Sequence, residues 1–212
     1  MTVLDDKPWF PPPEFANEDG LLAIGGDLTI ERLLLAYRSG IFPWYNDAVP
    51  LWWHPNPRFV LYPQELKISK SMKQVLKKEE FVFTNNAAFE QVIANCQKIF
   101  RKEQDGSWIN KDVIKSYTTL HILGFAHSAE AWYNNELVGG LYGIKMGNIF
   151  FGESMFSHKS NASKFAFIKY VQMLIEEGVE LIDCQIYTEH LESLGARMID
   201  RNLFMQILKA NI

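Results

Sequence analysis

Apolar positions in this chain follow two rhythms, and the change comes near residue 60. Beyond it, three-to-four-residue periods alternate with short apolar runs bounded by turn residues. Residues 68–78 read as a helix capped by Ser69, 81–84 as a strand and 87–99 as a helix. A polar loop over 101–106 and a helix over 110–123, stopped by Gly124, come next. Three apolar stretches then lie close together, 126–133, 137–146 and 149–156. Asn134-Asn135-Glu136 and Gly147-Asn148 between them are hairpin turns, so the pattern predicts an antiparallel meander. Asn161 is placed to cap a helix running to Glu177, 181–186 is a further strand, and 200–209 is a last helix. This order predicts an α+β fold of mixed α/β layers.

Residues 1–62 have a different texture. They hold eight of the nine prolines and four of the six tryptophans, which predicts turns and extended pieces rather than regular layers. One helix stands out, from Thr29 as cap to Ser39, closed by Gly40, with Arg32 and Arg38 as its exposed positions. Gly25-Gly26-Asp27 ahead of it reads as a turn, since no phosphate-loop pattern follows. The expected organisation is a small N-terminal domain over 1–62 and a larger domain over 63–212.

Composition narrows the class. No apolar run approaches the length of a membrane span, and residues 1–13 lack the basic-apolar-small order of a signal peptide. The two cysteines, Cys96 and Cys184, have no metal spacing and fit reduced thiols in a cytoplasm. The five histidines are scattered, so they read as core or surface and no metal is expected. A net charge of -4 argues against a general nucleic-acid binder, so any polyanion site has to be local. One such patch exists: Lys70, Lys73 and Lys77 share a helix face, with Lys67 and Lys78 beside them.

Two strands carry ionisable residues among apolar ones. Strict alternation along 181–186 places Leu181, Asp183 and Gln185 on one face. A carboxylate and a carboxamide in a core strand need partners or a ligand, because unpaired burial costs several kcal/mol. Glu153 repeats the puzzle between Phe151 and Met155 on the third meander strand. A structural hydrogen-bond network and a ligand site both answer it.

The blocks GLLAIGGDL (20–28), GIFPWY (40–45), LWWHPNPR (51–58), AHSAEAW (126–132), FGESMFS (151–157), NASK (161–164), LIDCQ (181–185) and SLGA (193–196) closely resemble the leucyl/phenylalanyl-tRNA–protein transferase family, in order and over nearly the whole chain. The resemblance implies an acetyltransferase-like (GNAT) C-terminal domain with a small Pro/Trp-rich N-terminal one. It implies transfer of leucine or phenylalanine from aminoacyl-tRNA to proteins beginning with arginine or lysine, in the N-degron pathway. It departs from the family at Thr188, where the family has a small amide, and at Asp200-Arg201, where the family has Pro-Arg.

Site residues carry over by motif. Asp183 and Gln185 match the pair that handles the incoming amine, with Asp183 fixing Gln185 and the Gln185 carbonyl accepting from the amine. Glu153 matches the glutamate that holds the aminoacyl-adenosine end. Trp44 and Trp108 match the tryptophans flanking the terminal adenine. Phe150, Met155, Phe167, Tyr170 and Ile182 are expected to line the amino-acid side-chain pocket, although Phe150 and Ile182 need the strand face opposite Glu153 and Asp183. A pocket of that kind separates methylene-scale differences by only about 1–3 kcal/mol, so methionine is a further expected donor. Lys70, Lys73, Lys77 and Lys78 are expected to grip acceptor-stem phosphates. The ester is already activated, so no cofactor is needed. The turn over 157–164 has no glycine to seat a pyrophosphate, which disfavours a CoA-dependent acetyltransferase. A tRNA-binding module without activity is the other alternative, disfavoured by the presence of Asp183, Gln185 and Glu153. A monomer is the default expectation.

Overall fold

A computed structural model describes residues 1–46, 49–99 and 107–212. The polar loop expected over 101–106 lies outside the described residues.

The N-terminal part is built on a four-stranded sheet. Its strands β1 (Thr2–Leu4), β2 (Leu21–Gly25), β3 (Phe42–Pro43) and β4 (Leu51–Trp53) lie in the order β1-β2-β4-β3. Helix α1 (Ile30–Arg38) starts where the Thr29 side chain accepts the Arg32 N–H, and the chain leaves it through Gly40 at φ 70°. Asp27 accepts from the Thr29 N–H and hydroxyl, so Gly25-Gly26-Asp27 is a turn. Arg32 corrects an expectation: it is fully buried, not exposed. Its guanidinium donates to the Asp27 carboxylate and the Asp5 carbonyl. Gly26 makes this possible, since a Cβ there would lie 2.8 Å from the guanidinium carbon.

The larger part is a seven-stranded sheet of β5 (Arg58–Leu61), β6 (Val82–Asn85), β7 (Ala126–Tyr133), β8 (Glu136–Met146), β9 (Ile149–Ser157), β10 (Leu181–Gln185) and β11 (Arg197–Ile199). The order is β11-β5-β10-β9-β8-β7-β6, and the meander expected from the hairpin turns is β7-β8-β9. Helices α2 (Lys70–Lys77), α3 (Phe89–Lys98), α4 (Lys111–Ile122), α5 (Ala162–Glu176), α6 (Glu189–Glu192) and α7 (Arg201–Asn211) complete it. Strand β5 lies ahead of residue 62 yet is an inner strand of the large sheet, so the change of sheet falls before Arg58.

Alternation along the strands divides the core in two. Phe151 and Leu181 pack on one face, with α1, α3, α4 and α7, while Phe150 and Ile182 pack on the other, with α5 and Met72 of α2. The first cluster runs on into Leu22, Tyr37 and Trp52, so the small sheet and the large one share a core. At α5 the expected cap differs: Asn161 sits at φ 68° and its side chain makes no cap bond, while Ser157 Oγ accepts the Ser163 N–H at 3.3 Å.

One feature of the sheet opens the site. β9 and β10 pair in parallel over three positions, Leu181 with Ile149, Ile182 with Phe150 and Asp183 with Phe151. Beyond them β9 stays with β8 as far as Ser157, while β10 bulges and ends against Phe59 of β5. The two strands therefore part, and a cleft opens between them. Meander, α5 and a splayed parallel pair form mixed α/β layers.

Candidate active site

The cleft between β9 and β10 encloses about 400 Å³. Glu153 and Gln185 stand in it from the two parting strands, and Phe42, Pro43 and Trp44 of the N-terminal part close one side. Gln185 departs from the alternation expected of it. The bulge puts its backbone at φ 66°, a left-handed conformation that costs a side-chain-bearing residue of order 1–3 kcal/mol. Its N–H donates to Asp183 Oδ1 at 2.9 Å, and its side-chain Nε2 donates to Glu153 Oε1 at 3.0 Å.

Glu153 is held from three directions. Besides Gln185, Tyr37 Oη lies 2.8 Å from Oε1 and Tyr117 Oη 3.2 Å from Oε2, and the two phenols lie within hydrogen-bond reach of each other, so two hydroxyl protons are shared among three contacts. Burial pushes the carboxyl up to about 7, and the neighbouring Asp183 charge adds to this, against the lowering effect of its three donors. Burial, followed by the Glu153 charge, pushes both phenols well above the ordinary tyrosine value, so they act as neutral donors. The arrangement is a proton-poised carboxyl beside a fixed carboxamide.

Asp183 does not line the cleft, although alternation placed it on one face with Gln185; it meets Gln185 through the backbone N–H. It is fully buried, and Arg58 forks it, with Nε 2.8 Å from Oδ1 and an Nη 2.6 Å from Oδ2. The bulge is the reason: it turns Gln185 toward the cleft and leaves Asp183 beneath its backbone. Arg58 in turn lies between the rings of Phe42 and Phe204, 4.8 and 4.6 Å from their centroids.

The remaining expected residues divide. Phe150, Met155, Phe167 and Ile182 all line the cleft. A flat sheet face could not gather them, but the gap between parted strands exposes both faces at once. Tyr170 does not line it; it packs edge-on behind Phe150, with ring centroids 5.0 Å apart. Trp44 and Trp108 both border the cleft. Trp108 is 4% exposed and lies T-shaped to Tyr117, while Trp44 is partly exposed and leans on Trp53. Lys70, Lys73, Lys77 and Lys78 are exposed on and beside α2, outside the cleft lining, and among the described residues none is in an ion pair.

Sequence reasoning missed Tyr37, Tyr117, Arg58 and His190. The tyrosines sit on α1 and α4 at ordinary core positions, with no local pattern to mark them. Arg58 closes the LWWHPNPR block, its one available signal. His190, read as core or surface, borders the cleft together with Thr188, whose side chain caps α6.

Comparison with known proteins bears on this geometry. The family model for leucyl/phenylalanyl-tRNA protein transferase matches residues 60–209, and the model for that family's N-terminal domain matches 26–56. The chain is 56% identical to the leucyl/phenylalanyl-tRNA–protein transferase of Flavobacterium johnsoniae, over 95% of this chain and 96% of that one. It is 54% identical to that of Christiangramia forsetii, over 98% and 100%, and 53% identical to that of Syntrophobacter fumaroxidans, over 96% and 87%. Among solved structures, a GCN5-related N-acetyltransferase from Kribbella flavida aligns over 78% of this chain and 59% of its own, at 8% identity and a TM-score of 0.42. The matched lengths and identities make the chain a member of the leucyl/phenylalanyl-tRNA–protein transferase family.

Proposed function

We propose that the protein transfers leucine or phenylalanine, and methionine as a further donor, from aminoacyl-tRNA to the α-amino group of proteins that begin with arginine or lysine, marking them for N-degron proteolysis in the cytoplasm. The observation that carries this reading is the parted-strand cleft, with Gln185 and Glu153 joined at 3.0 Å in it and apolar side chains beside them.

The chemistry follows from these groups. The donor ester is activated already, so the site has to bring two reactants together and move one proton. An incoming α-amine, with a pKa of about 7.7–8.0, is partly neutral near pH 7. Nε2 of Gln185 is committed to Glu153, which leaves its carbonyl oxygen to accept from that amine and aim the nitrogen lone pair at the ester carbon. A carboxamide is a very weak base, so the amine proton passes to the departing ribose oxygen. Glu153 receives the donor's own α-ammonium, and Phe150, Met155, Phe167 and Ile182 receive its side chain. Trp44 and Trp108 flank the terminal adenine, and the α2 lysines hold acceptor-stem phosphates.

The test is a transfer assay with purified protein, radiolabelled leucyl-tRNA and a peptide beginning with arginine. Label should enter the free peptide and not its N-acetylated copy. Absence of transfer to either overturns the reading.

A further inference from the structure

Beneath the cleft lies an ion pair that the transfer chemistry never touches. Arg58 is fully buried, forks Asp183 with two donors, and is pressed between Phe42 of β3 and Phe204 of α7. Replacing such a pair with apolar residues is often neutral or stabilising, so stability alone is a weak reason for its presence. Its geometry supplies a better one. Oδ1 of Asp183, which takes the Arg58 Nε, also takes the backbone N–H of Gln185. Gln185 is the residue whose backbone leaves the strand conformation, at φ 66°, and whose carboxamide reaches Glu153. A glutamine does not hold that conformation without something to over-determine it.

We infer that Arg58 is a positioning residue: clamped by Phe42 and Phe204, it fixes Asp183 so that Asp183 holds the left-handed Gln185 backbone and aims the carboxamide into the cleft. Asp183 thereby acts through the Gln185 N–H and not on the amine. The clamp also gives the N-terminal part and α7 a share in the site, since each supplies one ring. The inference rests on the proposed transfer reaction only for its kinetic readout.

The full chain is made as Arg58→Met, Arg58→Lys and the double variant Arg58→Met/Asp183→Leu. Three quantities are measured: hydrogen exchange at the Gln185 backbone amide by NMR on 15N-labelled protein, leucyl-tRNA Kd with Tm, and single-turnover transfer to an arginine-leading peptide. In Arg58→Met, exchange at Gln185 should quicken at least about tenfold. Transfer should fall about a hundredfold or more, with Kd held within about threefold. The double variant should regain Tm and stay slow. Recovery of transfer along with Tm would reduce Arg58 to a structural ion pair and overturn the inference. Equal losses in Kd and transfer, or undiminished transfer in Arg58→Met, would do the same. Should Arg58→Met fail to fold, Arg58→Lys decides: transfer down about tenfold at near-normal Tm supports positioning, and full transfer overturns it. If the wild-type protein transfers nothing, the proposed reaction fails instead, and amide exchange alone decides: unchanged protection of Gln185 in Arg58→Met or Arg58→Lys overturns the positioning role.

Discussion

The side-chain amide of Gln185 donates to Glu153 Oε1 across 3.0 Å, joining the two strands at the point where they part. An ionised carboxylate only accepts, so this bond fixes which way the amide lies and leaves the carbonyl oxygen free for the cleft. Gln185→Ala removes that acceptor while leaving the tryptophans and lysines in place. Turnover should fall by a factor on the order of a hundred or more, with aminoacyl-tRNA affinity nearly unchanged. Single-turnover kinetics beside a direct binding measurement separates the two; an equal loss in both rejects the assignment.

Glu153 carries a cost that pH reveals. Its folded value of about 7 lies above the ordinary 4.5, so between those limits the native state holds more protons than the unfolded chain. Glu153 therefore makes stability fall as pH rises from about 4.5 to about 7, and the full penalty remains above that range. Glu153→Gln removes the ionisable group and keeps its shape. It should stabilise the protein at pH 8 by about 1–3 kcal/mol, allowing for partial exposure, with the gain shrinking to about a quarter at pH 5. Thermal unfolding at both pH values checks this, and the same variant should lose most of its transfer activity.

The fold was legible where local signals are strong. Asn134-Asn135 and Gly147-Asn148 mark the two meander turns, and Ser69 does cap its helix, while Asn110 and Asp200, read as first helical residues, are the caps of theirs. Strand β11 and helix α6, of three and four residues, are too short to show a period. Strand residues of the cleft were legible, as were Trp44, Trp108 and Phe167, while the phenols and the guanidinium that hold Glu153 and Asp183 were hidden. Tyr37 and Tyr117 meet across 80 positions of sequence, a tertiary relation that no spacing encodes. Asp183 and Gln185 were paired by simple alternation, which the bulge breaks. Phe167 and Tyr170 lie three apart on α5, yet Phe150 stands between Tyr170 and the cleft.

The α2 lysines should read phosphates without reading sequence. A phosphate contact of this kind contributes a slope of about −0.9 to log K against log salt. Changing Lys70, Lys73, Lys77 and Lys78 together to alanine should flatten the slope for aminoacyl-tRNA by roughly 3.6. Turnover at saturating tRNA should change little. Titrations from low to moderate salt measure the slope, and an unchanged one removes these lysines from the interface.

Tyr37 belongs to the N-terminal part but donates to Glu153 of the large sheet, so it lets one part tune the other. Its hydrogen bond lowers the Glu153 value against burial. Tyr37→Phe removes that donor and keeps the ring against Phe151, so Glu153 should titrate above its present value of about 7. If the ionised carboxylate receives the donor ammonium, kcat/KM for aminoacyl-tRNA declines as pH drops through that value, and the variant's decline should begin at higher pH. The peptide amine also titrates in this range, but it is common to both enzymes and cancels in their ratio. Profiles from pH 5.5 to 9 with one peptide give that ratio; a flat ratio would detach Tyr37 from the Glu153 proton, whatever its effect on stability.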